Sequence, residues 1–180
     1  IFTEKEWKKE QSYNHLQDRY NDIKNAQGEI IAYYVKMQKN MTDTNEITQA
    51  NQYIKSVQSA MHAAKGFKDI QHNTNELLQS GNDLKFQQFA LFSNIIQKNL
   101  LQLTVLLNKI NTPEIIELLQ QQLNQIQTDY NELLNSIYVQ AGKNALMDKD
   151  ISTLQNMNRE LYSAHKSLTY AISDFMLNNQ

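Results

Sequence analysis

The sequence predicts an all-α protein: an antiparallel bundle of five or six long amphipathic helices with short connections. Three observations lead there. Large apolar residues recur three and four apart along nearly the whole chain, the period of helices packed lengthwise on one another. Only four glycines and one proline occur in 180 residues, too few turn-formers for an antiparallel β fold. Clusters of cap and turn residues fall only between the periodic segments, so neighbouring helices are expected to run antiparallel. At this length, with 41% hydrophobic residues, the chain can form one core, so residues 1–180 are read as a single domain, with 67–111 as a candidate sub-module.

The first segment runs from about Thr3 to Met41, where Thr3 and Glu6 form a capping box. Its seam is Tyr13, Leu16, Tyr20, Ile23, Gln27, Ile30, Tyr34, Met37 and Met41. Thr42 to Asn45 is a cap cluster. The second segment carries Ile47, Ala50, Ile54, Val57, Met61 and Ala64 on one stripe. Gly66 reads as a left-handed terminating glycine there, with Phe67 to Gln79 either continuing the helix or standing apart. Ser80-Gly81-Asn82-Asp83 is a clear break. The third segment, about Asp83 to Ile110, is the most hydrophobic. Phe89, Phe92, Ile96, Leu103, Leu106 and Ile110 form its stripe, widened by Leu91, Ile95, Leu101 and Val105, which predicts a central position touching several neighbours.

Thr112 is read as the N-cap and Pro113 as the first residue of the fourth helix. That helix has the most regular seam: Ile116, Leu119, Leu123, Ile126, Tyr130, Leu133 and Ile137. Whether the chain reverses or only kinks at Pro113 is open at this point. The last segment has Met147, Leu154, Met157, Leu161, Ala164, Leu168, Ala171 and Phe175 on its seam. Its start, Asp148-Lys149-Asp150, suits the positive end of a helix dipole.

Composition narrows the function. A net charge of −2 without a concentrated basic face argues against nucleic acid. The absence of cysteine excludes disulfides, thiolate metal sites and thiol catalysis. It also suits a bacterial periplasm. The start at Ile1 reads as a trimmed or processed chain. Gln97, Lys98 and Asn99 interrupt the most apolar stretch, which makes it a buried helix and not a membrane span.

No catalytic or metal motif emerges, and no enzymatic activity or cofactor is expected. Almost every Asp and Glu falls off the seams, and the four histidines, His15, His62, His72 and His165, are read as surface or boundary residues. The one candidate ligand site comes from the only two arginines, Arg19 and Arg159. A guanidinium holds a carboxylate bidentately, and each arginine has a tyrosine nearby, Tyr20 and Tyr162. Together they suggest an anion pocket between the first and last helices; surface salt bridging with Asp18 and Glu160 is the simpler account of both arginines.

The stretch Leu16 to Glu46, with its continuous seam ending in a cap cluster, resembles the opening helix of extracytoplasmic helical-bundle sensor domains of bacterial chemoreceptors and sensor histidine kinases. The stretch from Gln140-Ala141-Gly142 to Phe175 is similar to their return helix. The resemblance implies termini joined to membrane helices, small ligands such as carboxylates bound between helices, and a relayed helix displacement. The Gln/Asn-rich seams also resemble helical minor-pilin components of type IV secretion systems, which implies a structural or adhesion role in a bacterial surface assembly. Expected partners are therefore a small ligand or a protein. Heptad seams also pair two copies of one chain, which leaves a homodimer open.

Overall fold

The structure is a computed structural model that describes residues 13–109, 112–143 and 146–176, with side chains from residue 16. The described residues form five helices and no strand: α1 (Tyr13–Gln38), α2 (Thr44–Gln79), α3 (Asp83–Asn108), α4 (Ile115–Gly142) and α5 (Asp148–Met176). The chain is all-α, as its periodicity requires. The capping box at Thr3 and Glu6 lies outside the described residues.

The breaks between helices follow local chemistry. Asp43 caps α2 by accepting a hydrogen bond from the Asn45 amide at 2.7 Å, which satisfies one of the amides left open at a helix start. Asn82 does the same for α3, accepting from Leu84 and Lys85 at 2.9 and 3.2 Å. Gly81 before it has φ +62°, a left-handed conformation that glycine adopts without a Cβ penalty. The start of α4 differs from the sequence reading, and the question left open at Pro113 is answered. α4 begins at Ile115, with Glu114 at the N-cap and no side-chain cap bond, so Thr112 and Pro113 make the turn before it. α3 and α4 are separate helices, because Gln88 reaches Ser136 and Asn99 reaches Gln122 across them.

Gly66 does not end a helix. It lies inside α2, which runs unbroken to Gln79. Its role is close approach: a Cβ there would sit 2.9 Å from the Ala164 Cβ and 3.4 Å from the Glu160 carbonyl. Small residues thus press α2 against α5. Ser56 adds a bond, its hydroxyl donating to the Ala171 carbonyl at 2.7 Å. Along this contact Tyr53 meets Phe175, Ser56 meets Ala171, and Phe67 meets His165. The fully buried stripe of α2 is Ser56, Ala63, Ile70 and Leu77, a heptad apart, while the apolar stripe read from the sequence is half-buried.

α2, α3, α4 and α5 surround the core, and α1 packs on α2 alone. On α1 the seam splits by sevens: Tyr20, Gln27 and Tyr34 are half-buried, while Leu16, Ile23, Ile30 and Met37 are exposed. The helix with the most buried residues is α5. α3 touches three neighbours, yet it is not central: Leu101 and Val105 are 61% and 52% exposed. Its broad apolar face is left partly uncovered because α2 leans on α5. Among the described residues no helix is long and apolar enough to cross a membrane.

The core is two apolar clusters. One joins Ile70, Leu77, Phe92, Leu133, Ile137, Leu154, Met157 and Leu161. The other joins Leu103, Leu106, Ile115, Leu119, Ile172 and Met176. Between them, every helix that carries both clusters buries at least one polar residue.

Candidate functional site

That polar layer is built at one level of the bundle. α3 supplies Asn99, α4 supplies Gln122 and Asp129, and α5 supplies His165 and Thr169, all at most 4% exposed. Asn99 lies one heptad after buried Phe92 and one before buried Leu106, so the helix turns it inward.

Asp129 is the hub. Its Oδ1 accepts from the Lys98 ammonium at 3.0 Å and from the Gln125 amide at 2.8 Å. Its Oδ2 accepts from Asn99 at 2.8 Å, and the Asn99 carbonyl oxygen accepts from Gln122 at 2.8 Å. A buried carboxylate needs such partners, since charge removed from water without compensation costs several kcal/mol. Lys98 keeps its stem on the bundle and 44% of its side chain exposed, which lets the ammonium stay partly hydrated.

His165 faces the same layer from α5. Its ring stands edge-on to Phe67, centroids 5.3 Å apart, and its buried Nε2 has no hydrogen-bond partner. A void of about 10 Å³, lined by His165, Asp129, Asn158 and Tyr162 among others, adjoins it. Burial pushes the imidazole down to about 4, against a smaller upward pull from Asp129. His165 is therefore neutral near pH 7. The surface or boundary place expected for the histidines fails here, while His62 and His72 are exposed and the His15 side chain lies outside the described residues. Gln122 and Asp129 correct the fourth seam likewise: they occupy buried positions beside half-buried Leu123 and Tyr130, and Ile115 replaces exposed Ile116.

Outside the core, beside this layer, a groove of about 810 Å³ runs between α2 and α3. Phe67, Ile70, Phe89 and Ile96 form its floor, and all four belong to the first core cluster or pack against it. Gln71 and Asn75 stand on the α2 side, Asn94 and Gln97 on the α3 side, and Leu16 of α1 borders it. The α3 residues that follow Gln97 in the chain, Lys98 and Asn99, turn the other way, to Asp129.

The structure does not bring the arginines together. Arg19 is exposed on α1, which makes no contact with α5. Tyr20 is half-buried beneath the Lys68 ammonium, 5.0 Å from its ring centre. Arg159 is 66% exposed and lies 3.5 Å from Glu160. Tyr162 packs on Tyr130 with centroids 4.9 Å apart and donates to Gln127 at 2.8 Å. A pocket shared by Arg19 and Arg159 would need α1 against α5, and α2 alone receives α1. Among the described residues, no group of three or more His, Asp or Glu is placed to hold a metal ion.

No family model, no curated protein and no solved structure matches the chain.

Proposed function

We propose that this chain is a non-enzymatic, extracytoplasmic helical-bundle sensor domain, an antiparallel bundle that binds a small ligand and relays it as a displacement of α3. One observation carries the reading: α3 lies between the ligand-sized groove and the buried polar layer. The groove falls within the ~300–1,000 Å³ of small-molecule sites. On its other face α3 is fixed through Lys98 and Asn99 to Asp129, a set of discrete hydrogen bonds that breaks and re-forms in steps. Packed helices move by small discrete shifts of about 1–2 Å. The contacts between α2 and α5, between α4 and α5 and between α3 and α4 all pair rising with falling residue numbers, which supports the antiparallel arrangement.

The absence of cysteine makes the test direct. Spin labels go on Gln87→Cys in α3 and Asn135→Cys in α4, both exposed. Ser93→Trp, which fills the groove with a ring, mimics occupancy. A shift of about 1–2 Å in the label distance is expected. An unchanged distance refutes the relay.

A second reading, a structural or adhesion component of a bacterial surface assembly, draws on two observations. Tyr20 of α1 lies under Lys68, while Phe175 of α5 sits on Tyr53. Those α2 positions are about 22 Å apart at 1.5 Å per residue, so the first described helix starts and the last ends at opposite ends of α2. Apolar residues are also exposed on α1, among them Ile23, Ile30, Tyr33 and Val35. The gene's full product decides between the readings: flanking membrane helices and a cytoplasmic signalling region favour the sensor.

A further inference from the structure

We infer that the α2–α3 groove takes an uncharged amphiphile: an apolar chain ending in an amide or hydroxyl group. The inference rests on the reading of the groove as the ligand site and names the ligand's chemistry. The sequence suggests a carboxylate held by arginines; the groove has the opposite character. None of the fourteen residues that line it is ionisable, in a chain of which 20% of residues are charged. A ligand charge enclosed there would meet no counter-charge, and an unpaired charge removed from water is strongly disfavoured.

The polar groups that are present fit a neutral head. Gln71 and Asn75 on one wall and Asn94 and Gln97 on the other each offer a carbonyl acceptor and an NH₂ donor. An amide or hydroxyl both donates and accepts, so it can pair with these side chains without leaving a charge. The apolar chain has a matching bed. The floor is the outer surface of the core, and it continues along α3 to Leu100 and Leu101, which line the groove while 41% and 61% exposed. A ligand laid there would cover apolar surface that water now meets, the main driving force for such binding.

Charged residues next to the lining in the chain are engaged with other partners, Glu76 with His72 at 3.2 Å among them. Lys98, next to Gln97, donates to Asp129 on the inner side of α3. Lys68, next to Phe67, pairs with Asp69 at 3.0 Å and lies over Tyr20. Neither lines the groove.

Three probes with the same eight-carbon skeleton test this: octanamide, octanoate and octyltrimethylammonium, each titrated below its aggregation concentration into the isotope-labelled protein and followed by amide chemical shifts. Octanamide should bind saturably, with shifts concentrated on residues 67–75 and 89–104, and both ions at least tenfold more weakly. Ser93→Trp should abolish octanamide binding. Gln97→Glu, at an exposed position that leaves the fold intact, should weaken octanamide at least tenfold and turn the preference toward the cation. Equal or tighter binding of an ion, shifts centred elsewhere, or no saturable octanamide binding overturns the proposal. Saturable octanamide binding with no change in the α3–α4 label distance refutes the relay and leaves the ligand class standing.

Discussion

Lowering the pH should destabilise this protein through one residue, His165. The unfolded imidazole takes up a proton near 6.5, and the folded one only near 4, because burial opposes the charge. Between those values the unfolded chain holds the extra proton. Stability therefore falls as pH drops, by up to about 1.4 kcal/mol per pH unit. The contribution is complete above 6.5 and gone below about 4, which amounts to about 3 kcal/mol across the window. His165 is 1% exposed, so solvent screening does little to reduce it. The Asp129 carboxylate is the charge that opposes the effect, and Lys98, Asn99 and Gln125 already occupy much of its accepting capacity. Tyr162 and Lys166 are engaged with each other at 3.2 Å, and from α2 the Phe67 ring stands against the imidazole.

Carboxylates elsewhere also respond to acid, so the measurement is a difference. Urea unfolding of the parent and of His165→Leu is followed by circular dichroism between pH 7 and 4.5. At pH 7 leucine removes an unpartnered buried nitrogen, and the two proteins should agree within about 1 kcal/mol. At pH 5 the variant should have gained about 2 kcal/mol on the parent. In parallel, the His165 imidazole resonance should titrate near pH 4. A difference that stays flat from pH 7 to 4.5, or an imidazole midpoint near 6.5, refutes the reasoning.

Other perturbations are calculable from single contacts. Gly66→Val should cost about 3 kcal/mol by overpacking against Ala164, and Ala164→Gly in the same chain should recover part of it; thermal melts of the single and double variants check both. Asp129→Ala should cost about 3–5 kcal/mol, since it leaves a lysine and two amides at a buried hub without their acceptor. Asp129→Asn should cost less, and chemical denaturation ranks the two. Asn82→Ala should cost about 1 kcal/mol through the lost α3 cap, with faster amide exchange confined to the first turn of α3 as its signature.

The helices were legible in the sequence because their signals are local. Asp43 lies in the expected cap cluster, and Gly81 takes a left-handed turn within the expected break, where Asn82 caps the next helix. Gly66 shows the limit of local signals, because a glycine that ends a helix and a glycine that admits a neighbouring helix look alike along the chain. The difference lies in Ala164, 98 positions away. The breadth of the third segment's apolar face points to the centre because it predicts how much a helix could bury. What it does bury depends on how its neighbours lean, and small residues at 56, 63 and 66 draw α2 to α5.

The polar layer was hidden for a different reason. Apolar spacing does not reveal it: on α4 the set with Leu123 and Tyr130 spaces as regularly as the set with Gln122 and Asp129. Yet a trace was present. The α3 stripe skips from Ile96 to Leu103, a whole heptad, and Asn99 stands in the gap between Phe92 and Leu106. On α5 His165 stands four after Leu161 and three before Leu168, the place of a core residue. Such gaps matter because Asn99 and Lys98 of α3 reach Asp129 at one register only. Sliding α3 by a turn would bring Leu103 or Ile95 opposite Asp129 and strand a carboxylate that now accepts three bonds. An all-apolar layer would tolerate that slide far better. The layer that makes the core less apolar therefore also limits α3 to few positions, and few well-separated positions are what a helix needs if a ligand in the groove is to switch it between them.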